Sequence, residues 1–423
     1  MYYLERFVWA FLTIPLLFII SIFFTFYSKF PQFKFKRMKN ALTKSEKNAK
    51  LTPVATLLIA LSARIGVGTL AGTGLAIAVG GPGAVFWMWL AAVITAAATF
   101  AENTLAQRFK QGDPEDLYGG PAFYISKGLK NKKLAYLYAI ILVLTHTLGF
   151  VAVQMNTMTV VFTENTNIPA IFIGLVLTIL TAITISGGIA KISRLIAKAV
   201  PIIAIFFFGI AGVTLILNFT YIPYFFINVI SSAFGLGAIT GGGIGVAITT
   251  GIRRGVFSNE AGMGTGAHAA ALTHHEDPRE QGYIGIIGIY LTTIVSVTLV
   301  AFMIMSTGAY ANVAATGNGI EFLHYALSKL FGPATTFILP LIIFFFAFST
   351  VVTSFLYGVM NVKFLTNKKY AVPLLRIALL GVVFISAVLN PAIIWSLVDT
   401  GVGITAIINL IAIFMLRKYI RKD

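Results

Sequence analysis

The sequence predicts an all-α polytopic membrane protein, and three observations carry that expectation. Of 423 residues, 58% are hydrophobic and only 11% are charged, where soluble domains carry about 25% charged residues. Apolar runs of about 20 residues, the length that crosses a bilayer's hydrocarbon core, recur from end to end. The stretches between them are too short to hold a separate soluble domain. The chain has no cysteine, which excludes disulfides, thiolate metal sites and cysteine nucleophiles. A net charge of +17 would suggest nucleic acid for a soluble protein. Here the charge falls in the loops, where it reports orientation, so no nucleic-acid partner is expected.

Eleven spans are expected, near 7–28, 54–80, 84–107, 134–162, 168–186, 195–217, 223–251, 283–308, 334–361, 371–389 and 392–416. The first is too long for a signal peptide's apolar region and lacks a small-residue cleavage site, so it reads as a true span. Basic residues follow the odd-numbered spans: Lys29 to Lys50 after the first, then Arg108 and Lys110 with Lys127 to Lys133. Lys191 to Lys198, Arg253 to Arg279, Lys363 to Lys369 and the tail Arg417 to Lys422 continue the series. The opposite side has little more than Arg6 and Lys329. The positive-inside rule then places the N-terminus outside and the C-terminus in the cytoplasm of a plasma membrane. The basic run at 29–50 serves topology and attracts anionic lipid; a regulatory or partner-binding role is the other reading, and nothing in the sequence favours it.

Eleven spans divide as one plus five plus five: an extra N-terminal helix at 1–28, a basic linker at 29–50, five-helix repeats at 51–217 and 218–417, and a tail at 418–423. A repeat of five spans necessarily inverts, so span two starts in the cytoplasm and span seven outside. In inverted-repeat transporters the first helix of each repeat is broken at the binding site. Span two reads Ser62-Ala63-Arg64-Ile65-Gly66-Val67-Gly68-Thr69-Leu70-Ala71-Gly72. Each glycine costs about 1 kcal/mol in a helix interior, and an arginine at that depth about 2.5–3.5 kcal/mol. Non-helical backbone at membrane depth persists only where protein buries it or it lines a cavity. Span seven is similarly glycine-dense at Phe234 to Gly245, so a second break is expected at 235–245. Gly68-x-x-x-Gly72 also fits close helix packing, though packing alone needs neither Arg64 nor the adjacent hydroxyls. The resemblance of these glycines to a dinucleotide fingerprint fails for want of a strand–helix–strand context. Free N–H groups at a half-helix start attract a carboxylate, and freed carbonyls attract a cation.

Four strings carry a family resemblance: Gly80-Gly81-Pro82-Gly83-Ala84-Val85-Phe86-Trp87-Met88-Trp89, Phe100-Ala101-Glu102, Gly119-Gly120-Pro121-Ala122-Phe123-Tyr124-Ile125, and Arg253-Arg254-Gly255-Val256-Phe257-Ser258-Asn259-Glu260-Ala261-Gly262. Together they resemble the alanine or glycine:cation symporter family, over about Leu51 to Leu365 and more weakly beyond. The resemblance implies the five-helix inverted-repeat fold of the amino acid–polyamine–organocation superfamily and sodium-coupled uptake of small amino acids. It implies a substrate site at Gly66, Val67, Gly68 and Thr69 in the break, with Gln154, Asn156, Phe234 and Ser354. It also implies a sodium site built from carbonyls of Ser62, Ile65 and Phe346 and hydroxyls of Ser349 and Thr350. Those hydroxyls could instead only back-bond their own helix. Asn259 and Glu260 belong to a segment read as an inner gate or helix cap.

This chain departs from the family's pattern in the break, in the pocket, and at Gly358-Val359-Met360, where the family has Gly-Glu-Arg. Arg64, Val67 and Thr69 replace small neutral or polar residues of the break, and Ser354 stands where the family has a pocket tryptophan, which enlarges or reshapes the pocket. Arg64 has three readings: a clamp on a substrate carboxylate, a built-in substitute for the coupling cation, or a structural partner of a carboxylate or helix end. Glu102 and Asp399 read as structural ion-pair members, and His146 as a hydrogen-bonded packing residue. His268, His274 and His275 lack a completing ligand pattern for metal. No catalytic arrangement and no cofactor other than the coupling ion is expected, and the chain is expected to be a monomer. The expected function is therefore cation-coupled symport of a small amino acid such as alanine or glycine by alternating access. The runners-up are a sodium-independent transporter or exchanger and a non-transporting sensor in which Arg64 replaces the ion. A channel is disfavoured by paired inverted breaks.

Overall fold

The computed structural model describes residues 7–44, 51–113, 117–235, 243–312, 319–389 and 391–421. Its elements are helical: α1 (Val8–Tyr27) and α2 (Phe35–Thr43) precede the interrupted pair α3 (Pro53–Arg64) and α4 (Val67–Gly80). Then come α5 (Gly83–Phe109), α6 (Pro121–Gly128), α7 (Lys132–Thr166), α8 (Ala170–Thr184), α9 (Ile189–Leu217) and α10 (Ile222–Ala233). The remainder is α11 (Gly243–Asn259), α12 (Thr265–Ala270), α13 (Arg279–Ser306), α14 (Ile320–Phe331), α15 (Thr335–Leu365), α16 (Ala371–Ser386) and α17 (Pro391–Met415).

Among the described residues, seven helical stretches are long and apolar enough to cross a membrane: α1, α5, α7, α9, α13, the α14–α15 stretch and Ile394–Met415 within α17. The α3–α4 pair makes an eighth if its halves, bent by 48°, are one span, and α8 and α16 are shorter apolar helices. Burial sorts these helices. Of the most apolar window of α5, 67% is buried, against 33% for α9. Central α5 presents Ala91, Ala92, Ala96, Ala97, Ala98 and Ala101, all buried, and such small side chains let neighbouring backbones approach. A Cβ at Gly251 of α11 would lie 2.4 Å from the Ala84 carbonyl oxygen. Peripheral α9 instead turns Ile202, Ile205 and Ile216 outward, as a lipid-facing surface requires.

Local chemistry sets the interruption. α3 starts where the Thr52 hydroxyl accepts the Ala55 N–H at 3.1 Å and Pro53 takes the first helical position, a favourable start. It ends at Arg64 because Ile65 leaves the helical region (φ −88°, ψ 76°) and Gly66 is extended. α4 then packs antiparallel to α11. A Cβ at Gly68 would meet the Phe257 ring at 2.9 Å, one at Gly72 the Arg254 side chain at 3.9 Å, and one at Gly80 the Ala247 backbone at 3.1 Å.

The expected break at 235–245 falls largely on 236–242, outside the described residues. Within them, α11 continues past the expected span end at 251 to Asn259. The chain then leaves the helix at 260–264, where Glu260, Gly262 and Gly264 have φ of 56°, 76° and 82°, before α12 resumes. This second interruption lies directly beside the first.

Candidate functional site

The α3–α4 break, the α11–α12 turn and the middle of α15 meet in the protein interior. The Thr350 hydroxyl reaches across to the Ser62 carbonyl at 2.8 Å and also lies 2.9 Å from its own helix's Phe346 carbonyl. Ser349 donates to the Phe346 carbonyl at 3.0 Å. Back-bonding therefore occurs, and Thr350 additionally bridges two helices. Ser62, Ile65, Phe346 and Ser349 line one small cavity of about 50 Å³ with otherwise apolar walls, including Leu61, Ile203 and Phe207. The cavity wall itself is almost entirely apolar. The neutral hard oxygens of Ser62, Phe346, Ser349 and Thr350 are hydrogen-bonded to one another beside it, and oxygens of that type suit a hard cation. Ser62 itself bonds Thr353 at 2.6 Å between hydroxyl oxygens.

Gly66 sits at the junction. A Cβ there would lie 2.6 Å from Thr350 Oγ1 and 2.9 Å from Gln154 Oε1. Gln154 Oε1 accepts the Val67 N–H at 3.0 Å, and its Nε2 is buried without a hydrogen-bond partner among the described residues. Gly68 lies under Phe257, which stacks on Phe150 with ring centroids 5.0 Å apart. The Thr69 hydroxyl lies 2.8 Å from the Arg64 carbonyl and 2.7 Å from Ser258 Oγ, so it ties α3, α4 and α11 together. Ser354 is buried on α15 with its hydroxyl unpartnered among the described residues, and its carbonyl accepts from Thr147 at 3.2 Å. Two expected residues stand apart from the break. Asn156 donates to the Ser386 and Leu389 carbonyls, each at 2.8 Å, and so closes the end of α16. Phe234 is 49% exposed at the end of α10, against Phe86 and Trp87.

The 260–264 turn is held by side chains from other helices. Glu102 Oε2 accepts the Gly264 N–H at 3.0 Å and the Asn409 amide at 2.9 Å. Tyr138 donates to the Met263 carbonyl at 2.7 Å, and Asn409 to the Gly262 carbonyl at 2.9 Å. Asn259 Oδ1 accepts the Ala261 N–H at 3.0 Å. The Glu260 carboxylate bonds His146 Nε2 at 3.1 Å and accepts the Thr265 hydroxyl at 2.6 Å. Buried backbone outside a helix must find such partners, and here α5, α7 and α17 supply them.

Arg64 is 2% exposed. Its guanidinium fills a slot between two glycines: a Cβ at Gly266 would lie 2.4 Å from Nη2, and one at Gly288 2.6 Å from Nη1. None of its three guanidinium nitrogens has a hydrogen-bond partner among the described residues. Its charge acts on both Glu102 and Glu260. The head therefore points past the break, toward the carboxylates that organise the second turn. On the other side of Phe257, Asp399 pairs with Arg253 and lies 3.5 Å from Arg254. Arg254 also sits over the Trp395 ring at 5.3 Å. Asp399 is the ion-pair member the sequence suggested, whereas three features escaped the sequence reading: the left-handed course of the 260–264 turn, the cap supplied by Glu102 and the Phe150–Phe257 stack. The Gly262-x-Gly264 spacing after Asn-Glu was the available signal for the turn.

The whole chain, residues 1–423, matches the family model described as the sodium:alanine symporter family. A Bacillus subtilis protein named probable sodium/glutamine symporter GlnT is 35% identical over 416 residues, covering 97% of this chain and 87% of the relative. The amino-acid carrier protein AlsT of the same organism is 36% identical over 412 residues, covering 97% and 88%. A sodium/proton-dependent alanine carrier protein of Bacillus sp. (strain PS3) is 32% identical over 385 residues, covering 88% and 86%. With its interrupted helices, buried polar turn and full-length match, the chain belongs to the sodium:alanine symporter family.

Proposed function

We propose that the chain is a secondary active symporter of a small amino acid, coupled to sodium and working by alternating access in a plasma membrane. The observation that carries this reading is the juxtaposition at Gly66: an extended backbone between two half-helices, with Gln154 and Thr350 both in contact with it. The substrate carboxylate would approach the N-terminus of α4, where the dipole favours negative charge, and would take the Val67 N–H now accepted by Gln154 Oε1. Gln154 Nε2 supplies a further donor. The Phe150–Phe257 stack over Gly68 limits substrate size. Ser354, where the family resemblance places a tryptophan, would enlarge or reshape the pocket, and the relatives' names span alanine and glutamine.

Sodium would take the oxygens of Ser62, Ile65, Phe346, Ser349 and Thr350. Because Thr350 touches α3 from α15, an ion held there ties the broken helix to its neighbour and favours one state of the transport cycle. In this reading the chain crosses the membrane eleven times, in two inverted groups of five after α1, with the C-terminus in the cytoplasm. Asn259 and Glu260 would then belong to the moving turn.

A second reading has its own observation. Arg64 places a permanent buried charge beside Glu102 and Glu260, and such a charge would stand in for the coupling cation. Uptake of a panel of labelled amino acids into proteoliposomes, with sodium, proton or no gradient, tests both. Wild type should accumulate one of them under a sodium gradient. Sodium-independent uptake that becomes sodium-dependent in Arg64→Ala would favour the second reading. No uptake of any amino acid would remove both.

A further inference from the structure

At the end of the bundle where α1 finishes and α13 begins, a cavity of about 500 Å³ opens between segments far apart in sequence. Four cationic side chains line it: Lys29 and Lys34 from the linker after α1, Arg279 at the start of α13, and Arg421 from the tail. Its floor is aromatic, with Tyr27 and Tyr283. We propose that this cavity binds a phosphate ester, supplied by the headgroup of an anionic phospholipid.

The cavity is a fixed part of the fold. Lys29 and Phe30 adopt left-handed backbone, φ 57° and 54°, a conformation that non-glycine residues hold only where the surroundings enforce it. Gln32 supplies that enforcement, donating to Thr25 at 2.8 Å while its carbonyl accepts the Tyr290 hydroxyl at 2.8 Å. Lys34 reaches back to the Ser28 carbonyl at 3.2 Å. The Arg421 carbonyl accepts from Arg108 at 3.1 Å, and its guanidinium lies 4.3 Å from the Tyr27 ring centroid.

Positive charge predominates in the hollow. Arg279 is paired with Asp277, through Nη2 at 2.8 Å and Nε at 3.1 Å, and Glu280 also acts on it, but the described residues that line the cavity include no carboxylate. Partial burial and the nearby Arg37, Arg279 and Lys29 hold the Lys34 ammonium below the usual lysine value, and none of these influences is an anion. Like charges gathered in a preformed hollow lower their mutual repulsion by binding an anion. Phosphate suits the set, because guanidinium and ammonium donors both match its oxygens. The location favours lipid over free anion. The hollow sits at the ends of the apolar helices α1 and α13, close in sequence to exposed Phe26, Phe30 and Phe33, and basic pockets at the ends of spans are where acidic headgroups bind.

The test uses the full-length protein in neutral detergent, with phosphatidylglycerol, phosphatidylcholine or inorganic phosphate added. Bound lipid is counted by native mass spectrometry and thermal stability is measured in parallel. The expected result is retention of phosphatidylglycerol over phosphatidylcholine, with a matching rise in melting temperature. In the Lys29→Gln/Lys34→Gln double variant, retention should fall roughly tenfold or more, while Lys130→Gln/Lys132→Gln, on exposed residues elsewhere, leaves it unchanged. Equal protection by inorganic phosphate would keep the phosphate site and assign it to a free anion. Undiminished phosphatidylglycerol retention in the Lys29→Gln/Lys34→Gln protein would overturn the proposal. Mass counting reads occupancy whatever the variant's stability, and neither readout depends on transport.

Discussion

Gly66 has room for a hydrogen and nothing larger, since a Cβ would press on Thr350 Oγ1 at 2.6 Å and Gln154 Oε1 at 2.9 Å. Gly66→Ala should therefore abolish uptake while leaving the protein foldable, at a cost of about 1–3 kcal/mol for overpacking, read as uptake per folded molecule. Arg64 makes a second residue-scale prediction. Gly266→Ala intrudes on the guanidinium and should destabilise the protein by about 1–3 kcal/mol. Adding Arg64→Ala should relieve much of that cost, and a double-mutant cycle in thermal unfolding would measure the coupling. The break at Arg64 and Gly66 was legible from the sequence, and the nearness of Gln154 to it was implied by the family resemblance. The direction of Arg64 was not, because its slot is made by Gly266 and Gly288, more than 200 residues downstream.

The first interruption was legible as an element because its glycines, hydroxyls and arginine coincide within one apolar run. The second was not. Glycine density drew attention to 235–245, whereas the turn at 260–264 has two glycines and is stabilised mainly by Glu102, Asn409 and Tyr138 from other helices. Interactions of that kind leave no local periodicity. They do make the turn vulnerable. Glu102→Ala would orphan the Gly264 N–H and leave Arg64 with one carboxylate fewer, which should cost about 3–5 kcal/mol. Glu102→Gln keeps an accepting oxygen and should cost less. Melting temperatures of the two purified variants compare them.

Across the whole molecule, composition alone announced an all-helical membrane protein, and long spans such as α5 and α13 follow from hydropathy. The shorter ones are harder to read: 15-residue α8 rises only about 23 Å, less than the roughly 30 Å hydrocarbon core. Side assignment rests on basic loops and is testable because the chain has no native cysteine. In intact cells, a membrane-impermeant maleimide should label Lys329→Cys and spare Lys132→Cys. The reverse pattern would invert the proposed topology.

Sodium coupling at the Ser62–Thr350 contact is the central claim, and sodium-dependent uptake into proteoliposomes tests it most directly. Wild type should accumulate its amino acid only with an inward sodium gradient, and Thr350→Val, which keeps the side-chain shape but removes an oxygen, should need about tenfold more sodium or greater. Accumulation that persists when potassium replaces sodium, with the same dependence in Thr350→Val, would contradict the account.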